Sequence, residues 1–287
     1  MPPRNVAIVG LESSHAEEII RHLNVDAAAD ASVRVHALVA HPDAERTRFL
    51  AALGGIDRIV DDPAELRTEV DGVVVTSRDG AQHRAQAVPF LEAGTPVWVD
   101  KPLATSALDA REIVAAAERG GAALTSSSTL RWSAEMAAAA DGVSRIGALQ
   151  SVRVTGPADA GHPHGGLFFY GIHVADLAQR LLPGEPDHVA VDALPDGVVA
   201  TYRLRGVPVS LELIRPTATT QVPFHVAAVG REGIVSRDIA VGPGYMKPAV
   251  DAFVDMLVSG RQPLSAAEML APIVVLERIA AELPRAH

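Results

Sequence analysis

Two side chains stand out for the chemistry they could do. One is the lysine of "VWVDKPLATS", Val97 to Ser106; the other is the histidine of "YGIHVADLAQRLL". The chain holds 25 Lys+Arg, of which only Lys101 and Lys247 are lysine. Arginine is a planar, permanently charged fork, whereas lysine is a compact ammonium whose proton becomes labile on burial. A site that needs a movable point charge or a titrating amine selects lysine, although a coding bias towards arginine would leave the same count. Lys247 follows "GPGY" at a helix start and reads as a chain-entry or surface residue. His173, Asp176 and Leu177 stand at i, i+3 and i+4 and share one helix face. An imidazole there suits proton transfer near neutral pH, with Asp176 orienting it, binding a substrate hydroxyl, or merely facing solvent. Tyr170 is either a proton-donating phenol or part of an apolar helix entry, "LFFY". His162 and His164, in "AGHPHGG", would with His173 and Asp176 make three imidazoles and a carboxylate, the ligand set of a catalytic zinc. Their spacing is loop-like, so the reading kept is histidines that bind substrate, with no metal.

The elements that must position these residues follow from periodicity. "NVAIVG", "VRVHALVA", "RIV", "DGVVVTS", "PVWVD" and "AALTSS" are short apolar runs. Helical patterns stand between most of them: "SSHAEEIIRHL", "DAERTRFLAAL", "AQHRAQAVPFLEAG" and "LDAREIVAAAERGG". Continuous apolar strands alternating with helices predict a parallel sheet covered on both faces. Ligands of such a sheet sit beyond the carboxyl ends of its strands, which is where Lys101 falls. After about Thr125 the pattern changes. "ALQSVRVTG", "DHVAVDALP", "GVVATYRLRG", "VPVSLELI", "FHVAAVG" and "GIVSRDIAV" are strands separated by turn residues, which predicts a mainly antiparallel open sheet. The helix "YGIHVADLAQRLLPG" interrupts them, and "KPAVDAFVDMLVSG" and "SAAEMLAPIVVLERIAAEL" close the chain. The expected fold is a Rossmann-type α/β domain over 1–124 followed by an α+β domain over 125–287. Ala27 to Ser32 and Ala137 to Gly147 read as alanine-rich loops or helix ends.

Bulk composition excludes several functions. Of 287 residues, 48 % are hydrophobic and 21 % charged, an ordinary globular balance. A net charge of −10 argues against a nucleic-acid partner. With 4 % aromatic residues there is no stacking platform for single strands. Zero cysteines rule out disulfides, thiolate metal sites and cysteine nucleophiles. No apolar run approaches the roughly 20 residues that span a bilayer, and no signal peptide is evident. The cytoplasm is the expected compartment, with neither membrane nor nucleic acid as a partner.

Three stretches in order resemble the Gfo/Idh/MocA oxidoreductases. "DGVVVTSRDGAQHRAQAVPFLEAGTPVWVDKPLATS" is similar to that family's strand, "TP"-like loop, histidine, "ALEAG", strand and "EKP", with Asp100 in place of the glutamate. "GGLFFYGIHVADLA" resembles its glycine pair followed by Gly-x-His-x-x-Asp. "YMKPAVDAFVDMLVSGRQPLSAAEMLAPIVVLERI" is close to its C-terminal helices. The resemblance covers nearly the whole chain. It implies hydride transfer between NAD or NADP and a sugar or cyclitol carbon. Lys101 would stabilise alkoxide charge, His173 would take the hydroxyl proton, and Tyr170 is a further candidate donor. It also implies cofactor contacts from Gly10, Leu11, Glu12, Ser13, Ser14, His41, Thr76, Ser77, His83, Asp100 and Lys101. Substrate contacts would come from Arg131, His162, His164 and Asp176. A homodimer or homotetramer through the open sheet face is expected.

The chain departs from the family in two places. Phe169 stands where many members carry an aspartate, four residues before the histidine, so no carboxylate relay is expected there. The nucleotide loop reads "GLESSH" where the fingerprint is G-x-G-x-x-G. Gly10 is kept, but Glu12 and His15 fill the other two glycine places. A carboxylate at Glu12 repels a pyrophosphate unless it turns aside, whereas Ser13, Ser14 and the helix N-terminus attract one. His41 ends the second strand where an acidic residue would hold a ribose, and gives no choice between NAD and NADP. Two alternatives therefore stand beside the dehydrogenase. One is a lyase, dehydratase or isomerase that has lost nicotinamide, and the other is a non-catalytic small-molecule binding protein.

Overall fold

A computed structural model describes residues 2–27, 31–217 and 221–283. It forms two compact units. The first runs to Ala104, resumes over Leu108–Ser126 and takes in Met246–Ala266; the second holds Thr105–Ala107, Ser127–Tyr245 and the chain from Ala267 on. The contacts thus differ from the expected division into 1–124 and 125–287, because the chain returns to its first unit near the end.

The first unit is built on six parallel strands: β1 (Arg4–Val9), β2 (Val33–Val39), β3 (Arg58–Val60), β4 (Gly72–Val75), β5 (Val97–Val99) and β6 (Leu124–Thr125). Their order is β3-β2-β1-β4-β5-β6. Between them run α1 (Ser14–Ile20), α2 (Ala44–Gly54), α3 (His83–Glu92) and α4 (Ala107–Gly120). β4 and β5 are buried at every position, as expected of strands covered on both faces. Strand order reverses between β1 and β4, the place where such sheets open a ligand crevice. Main-chain bonds carry the ladder one step past the strands: Thr76 N–H donates to Val9 O and Asp100 N–H to Val75 O, both at 2.8 Å. The helices start on capping side chains, Ser13 for α1 and Asp43 for α2. A later helix, α7 (Lys247–Ser259), belongs to this unit and packs on it through apolar contact. Phe253 lies 5.5 Å from the Trp98 ring, and a Cβ at Gly72 would come within 2.7 Å of Leu257.

The second unit carries β7 (Leu149–Pro157), β8 (Ala190–Leu194), β9 (Gly197–Leu204), β10 (Val207–Ile214), β11 (Phe224–Gly230) and β12 (Ile234–Ile239). Their order is β12-β11-β7-β10-β9-β8, antiparallel except where β7 and β10 pair in parallel. Burial alternates strictly along β11, the mark of a sheet with one covered face. Helices α5 (Ala134–Val143), α6 (Phe168–Leu181) and α8 (Ala266–Glu282) complete the set. Gly171 of α6 admits Leu276 of α8, which a Cβ would meet at 3.4 Å.

Every strand expected from the sequence is present, and the expected fold class holds. The alanine-rich run from Ala137 is a helix end, as one of the two expected readings has it. It is helix to Val143, started by Ser133 accepting from Met136 N–H and seated by buried Met136 and Ala139. Of the other alanine-rich stretch, residues 28–30 lie outside the described residues. Among the described residues no helix is long and apolar enough to cross a membrane.

Candidate active site

In the first unit, the cofactor residues expected from the sequence gather where β1, β2, β4 and β5 end. Gly10 has φ +82°, and a Cβ there would meet Ser77 N at 2.4 Å, so only glycine fits. Thr76 and Ser77 follow β4; Thr76 Oγ1 donates to Gly10 O, which locks the two loops together. His83, fully buried, spans two further carbonyls: its Nε2 lies 2.8 Å from Ser77 O and its Nδ1 2.7 Å from Pro102 O. The loops after β4 and β5 are therefore tied through one imidazole.

Asp100 and Lys101 leave β5 side by side, and both are buried. Burial alone would raise the Asp100 carboxyl. The His15 imidazole, with Nδ1 2.6 Å from Oδ2, and the Lys101 ammonium more than offset it and hold the carboxyl at about 2. Asp100 Oδ1 has no hydrogen-bond partner, so the carboxylate is kept by charge. Burial pushes the Lys101 ammonium below the usual lysine range; Asp100 opposes this and Arg78 adds to it. Lys247 is ordinary by contrast: it is exposed and pairs with Asp251 at 2.7 Å.

The first loop is braced from below. Arg46 of α2 donates through Nε to Leu11 O and through Nη2 to Ser13 O, both at 2.9 Å. Its Nη1 reaches Glu17 at 3.3 Å. Ser13 Oγ accepts His15 N–H as the helix cap, and Ser14 begins α1. Glu12 Oε1 accepts Arg78 N–H at 2.9 Å, and its Oε2 lies 3.9 Å from His41 Nε2. The carboxylate that the sequence sets against a pyrophosphate is thus engaged to one side. With Gly10 in its required conformation, these residues fit a dinucleotide.

In the second unit, α6 carries a different constellation. His173 Nδ1 lies 2.6 Å from Ser128 Oγ. Ser128 caps a short turn, Thr129–Trp132, whose Leu130 N–H its hydroxyl accepts. Asp176 and Arg131, expected to bind substrate, form a buried ion pair. Asp176 Oδ1 accepts from Arg131 Nη1 at 2.8 Å, and its Oδ2 accepts Ser128 N–H at 2.9 Å. Arg131 Nη2 goes to Glu268 at 2.9 Å. Both carboxylate oxygens are hydrogen-bonded, one of them to the Ser128 turn. Burial pushes the Asp176 carboxyl up, with Arg131 and Ser128 N–H pulling it back.

Around the start of α6 lies an aromatic cluster. Phe169 stacks on His162 at 3.9 Å and meets Tyr170 edge-on at 4.8 Å. His164 N–H donates to His162 Nδ1, and the Tyr170 ring lies 6.3 Å from that of His173. Phe169 thus sits at the centre of the cluster, stacked on one ring and edge-on to another. Gly165 and Gly166, φ +88° and +57°, turn the chain into it; a Cβ on Gly166 would strike Ala160 O at 2.7 Å.

Sequence reasoning missed His15 as the partner of Asp100, Arg46 as the loop brace, and Ser128 and Glu268. Only Ser128 left a signal, in the hydroxyl run "SSST" just beyond β6.

Comparison with known proteins gives this geometry a context. Residues 4–128 match the oxidoreductase family described as having an NAD-binding Rossmann fold. Inositol 2-dehydrogenase 2 of Paenarthrobacter aurescens (strain TC1) is 42 % identical over 76 residues, 26 % of this chain and 23 % of that protein. The 1,5-anhydro-D-fructose reductase of Ensifer adhaerens is 29 % identical over 226 residues, 68 % of this chain and 66 % of that protein. The matches thus span about a quarter and about two thirds of these relatives. The crystal structure of GenD2 from gentamicin A biosynthesis, in complex with NAD, shares the fold at TM-score 0.83 and 20 % identity, covering 98 % of this chain and 94 % of that one. The stretch that matches this family, residues 4–128, holds the nucleotide loop and the buried Asp100–Lys101 pair.

Proposed function

We propose that the chain is an NAD- or NADP-dependent oxidoreductase that moves a hydride to or from a carbinol carbon of a sugar, cyclitol or similar polyhydroxylated small molecule. The observation that carries this reading is Lys101: a buried ammonium at the carboxyl edge of a parallel sheet, its charge poised by an ionised Asp100. The names of the two relatives, an inositol dehydrogenase and an anhydrofructose reductase, support the substrate class.

Bound nicotinamide would supply the hydride acceptor or donor. The rest falls to side chains. Oxidising a carbinol leaves negative charge on oxygen as the hydroxyl proton departs, and a desolvated ammonium stabilises that charge. Lys101 takes this role. His173 accepts the proton through Nε2, in the tautomer whose Nδ1–H donates to Ser128 Oγ. Tyr170, His162 and His164 are assigned to substrate hydroxyls. A homo-oligomer joined through the open face of the second sheet, working in the cytoplasm, belongs to the same reading.

Calorimetric titration with NAD and NADP, then assay of inositols with the nucleotide that binds, tests it. Binding of one nucleotide and its reduction by a cyclitol is the expected result. The rate should fall as pH drops, and His173→Asn should flatten that acid limb. If neither nucleotide binds, the redox reading fails and a proton-transfer enzyme on the same fold takes its place. An acid limb unchanged in His173→Asn removes His173 from the reaction.

A further inference from the structure

We infer that Glu12 selects NAD over NADP, doing from the first loop what an acidic residue at the end of β2 ordinarily does. This rests on the nicotinamide reading above and assigns a role within it. In a Rossmann fold the carboxylate after the second strand accepts the ribose 2′-hydroxyl, and the same charge turns away a 2′-phosphate. Here β2 ends at Val39 and position 41 is a histidine, so the sequence puts no carboxylate there. The fold brings one in from elsewhere. His41 Nδ1 accepts Asp43 N–H at 3.1 Å, so in the neutral ring Nε2 bears the hydrogen. Glu12 Oε2 lies 3.9 Å from that Nε2, which puts the Glu12 carboxylate beside the end of β2. Its other oxygen is fixed by Arg78 N–H at 2.9 Å.

One cation placed to meet a 2′-phosphate, Arg46, is already engaged. Arginine early in the helix after β2 is the usual recipient of that group, and Arg46 stands there. All three of its guanidinium nitrogens are already used: Nε on Leu11 O, Nη2 on Ser13 O and Nη1 on Glu17. Releasing Arg46 to a phosphate would strip the brace from the very loop that must hold the pyrophosphate. A carboxylate is therefore present and the guanidinium is withdrawn, and both favour an unphosphorylated ribose.

Titration calorimetry of wild type, Glu12→Gln and Glu12→Gly against NAD and NADP tests the assignment. Wild type should bind NAD at least about tenfold more tightly than NADP, the ratio expected when a like charge a few ångströms away opposes the phosphate. Glu12→Gln keeps an acceptor for Arg78 N–H and loses only the charge. It should cut the NAD:NADP ratio by about tenfold, chiefly by tightening NADP. Glu12→Gly, which restores the fingerprint residue, should cut the ratio as far. Equal affinity of wild type for the two nucleotides, or a ratio unmoved in both variants, overturns the assignment while leaving the redox reading intact. Absence of any nucleotide binding to wild type overturns both.

Discussion

Each unit buries a carboxylate against cations, and the two are driven in opposite directions. Asp100 is held at about 2 although burial would raise it. Asp176 is pushed above the ordinary range although an arginine touches it at 2.8 Å. The difference lies in how charge is shared. Asp100 lies beside the Lys101 ammonium and the His15 imidazole, and one of its oxygens has no hydrogen-bond partner. Asp176 shares the Arg131 guanidinium with Glu268, and Arg180 adds a further pull, yet burial outweighs them. A carboxylate kept charged by an adjacent ammonium also keeps that ammonium in place, which suits a site of chemistry. A carboxylate with both oxygens bonded to a turn and an arginine suits a scaffold.

The largest effect expected from this contrast is on turnover. Lys101→Arg should leave the fold intact and lower kcat/KM by about 100-fold, roughly 2.7 kcal/mol of barrier, because a planar fork cannot occupy the space of an ammonium. Lys247→Arg, on an exposed helix start, should change nothing measurable. Melting temperatures taken beside the kinetics separate loss of chemistry from loss of fold. Equal activity of wild type and Lys101→Arg would move the chemistry away from this unit.

The next effect is on acid stability, and its sign differs between the units. Asp100 has a folded value below its ordinary 3.8, so its contribution is present above pH 4 and is lost as pH falls towards about 2. That amounts to roughly 2 kcal/mol. The folded value of Asp176 is raised, so its contribution is full below the ordinary carboxyl range and declines as pH rises through the folded value. Urea unfolding of wild type, Asp100→Asn and Asp176→Asn from pH 2.5 to 7 reads both. The advantage of wild type over Asp100→Asn should shrink as pH falls from 4, and its advantage over Asp176→Asn should grow as pH falls towards 4. Parallel curves for the three proteins would erase the distinction drawn here.

The two units also differed in how far the sequence exposed them. The parallel sheet was legible because each buried strand is a continuous apolar run, and Gly10, Thr76 and Asp100 each directly follow one. Lys101 stood out by its rarity, and His173 by its helical spacing to Asp176. What escaped was whatever depends on pairing across the chain. His15 and Asp100 are 85 residues apart, and Arg131 and Glu268 are 137 apart; no local pattern links either pair. The helix α5 was obscured because an alanine run has no hydrophobic period, and its seat is set by distant contacts such as Val235 against Gly142. The return of α7 to the first unit is equally invisible, since amphipathic spacing names an apolar face but not its partner.

The smallest effect concerns Ser128, where scaffold and chemistry meet within the second unit. Its main-chain N–H donates to Asp176, and its hydroxyl accepts Leu130 N–H and touches His173 Nδ1. Ser128→Ala keeps the first bond and loses the other two. Loss of the cap should cost about 1 kcal/mol of stability. Loss of the imidazole contact frees the ring to turn, and misorientation of a proton acceptor is felt in the transition state more than in binding. The expectation is therefore a fall in kcat of roughly tenfold, about 1.4 kcal/mol, with KM little changed. Ser128→Thr retains a hydroxyl and should recover most of it. The acid limb of the pH profile should survive in Ser128→Ala, because the proton acceptor is still there, and vanish in His173→Asn. If Ser128→Ala lowers the melting temperature and leaves kcat untouched, Ser128 is only a cap and His173 is oriented by other contacts. If threonine fails to rescue while the fold is intact, the fit of the hydroxyl beneath the ring matters more than its presence.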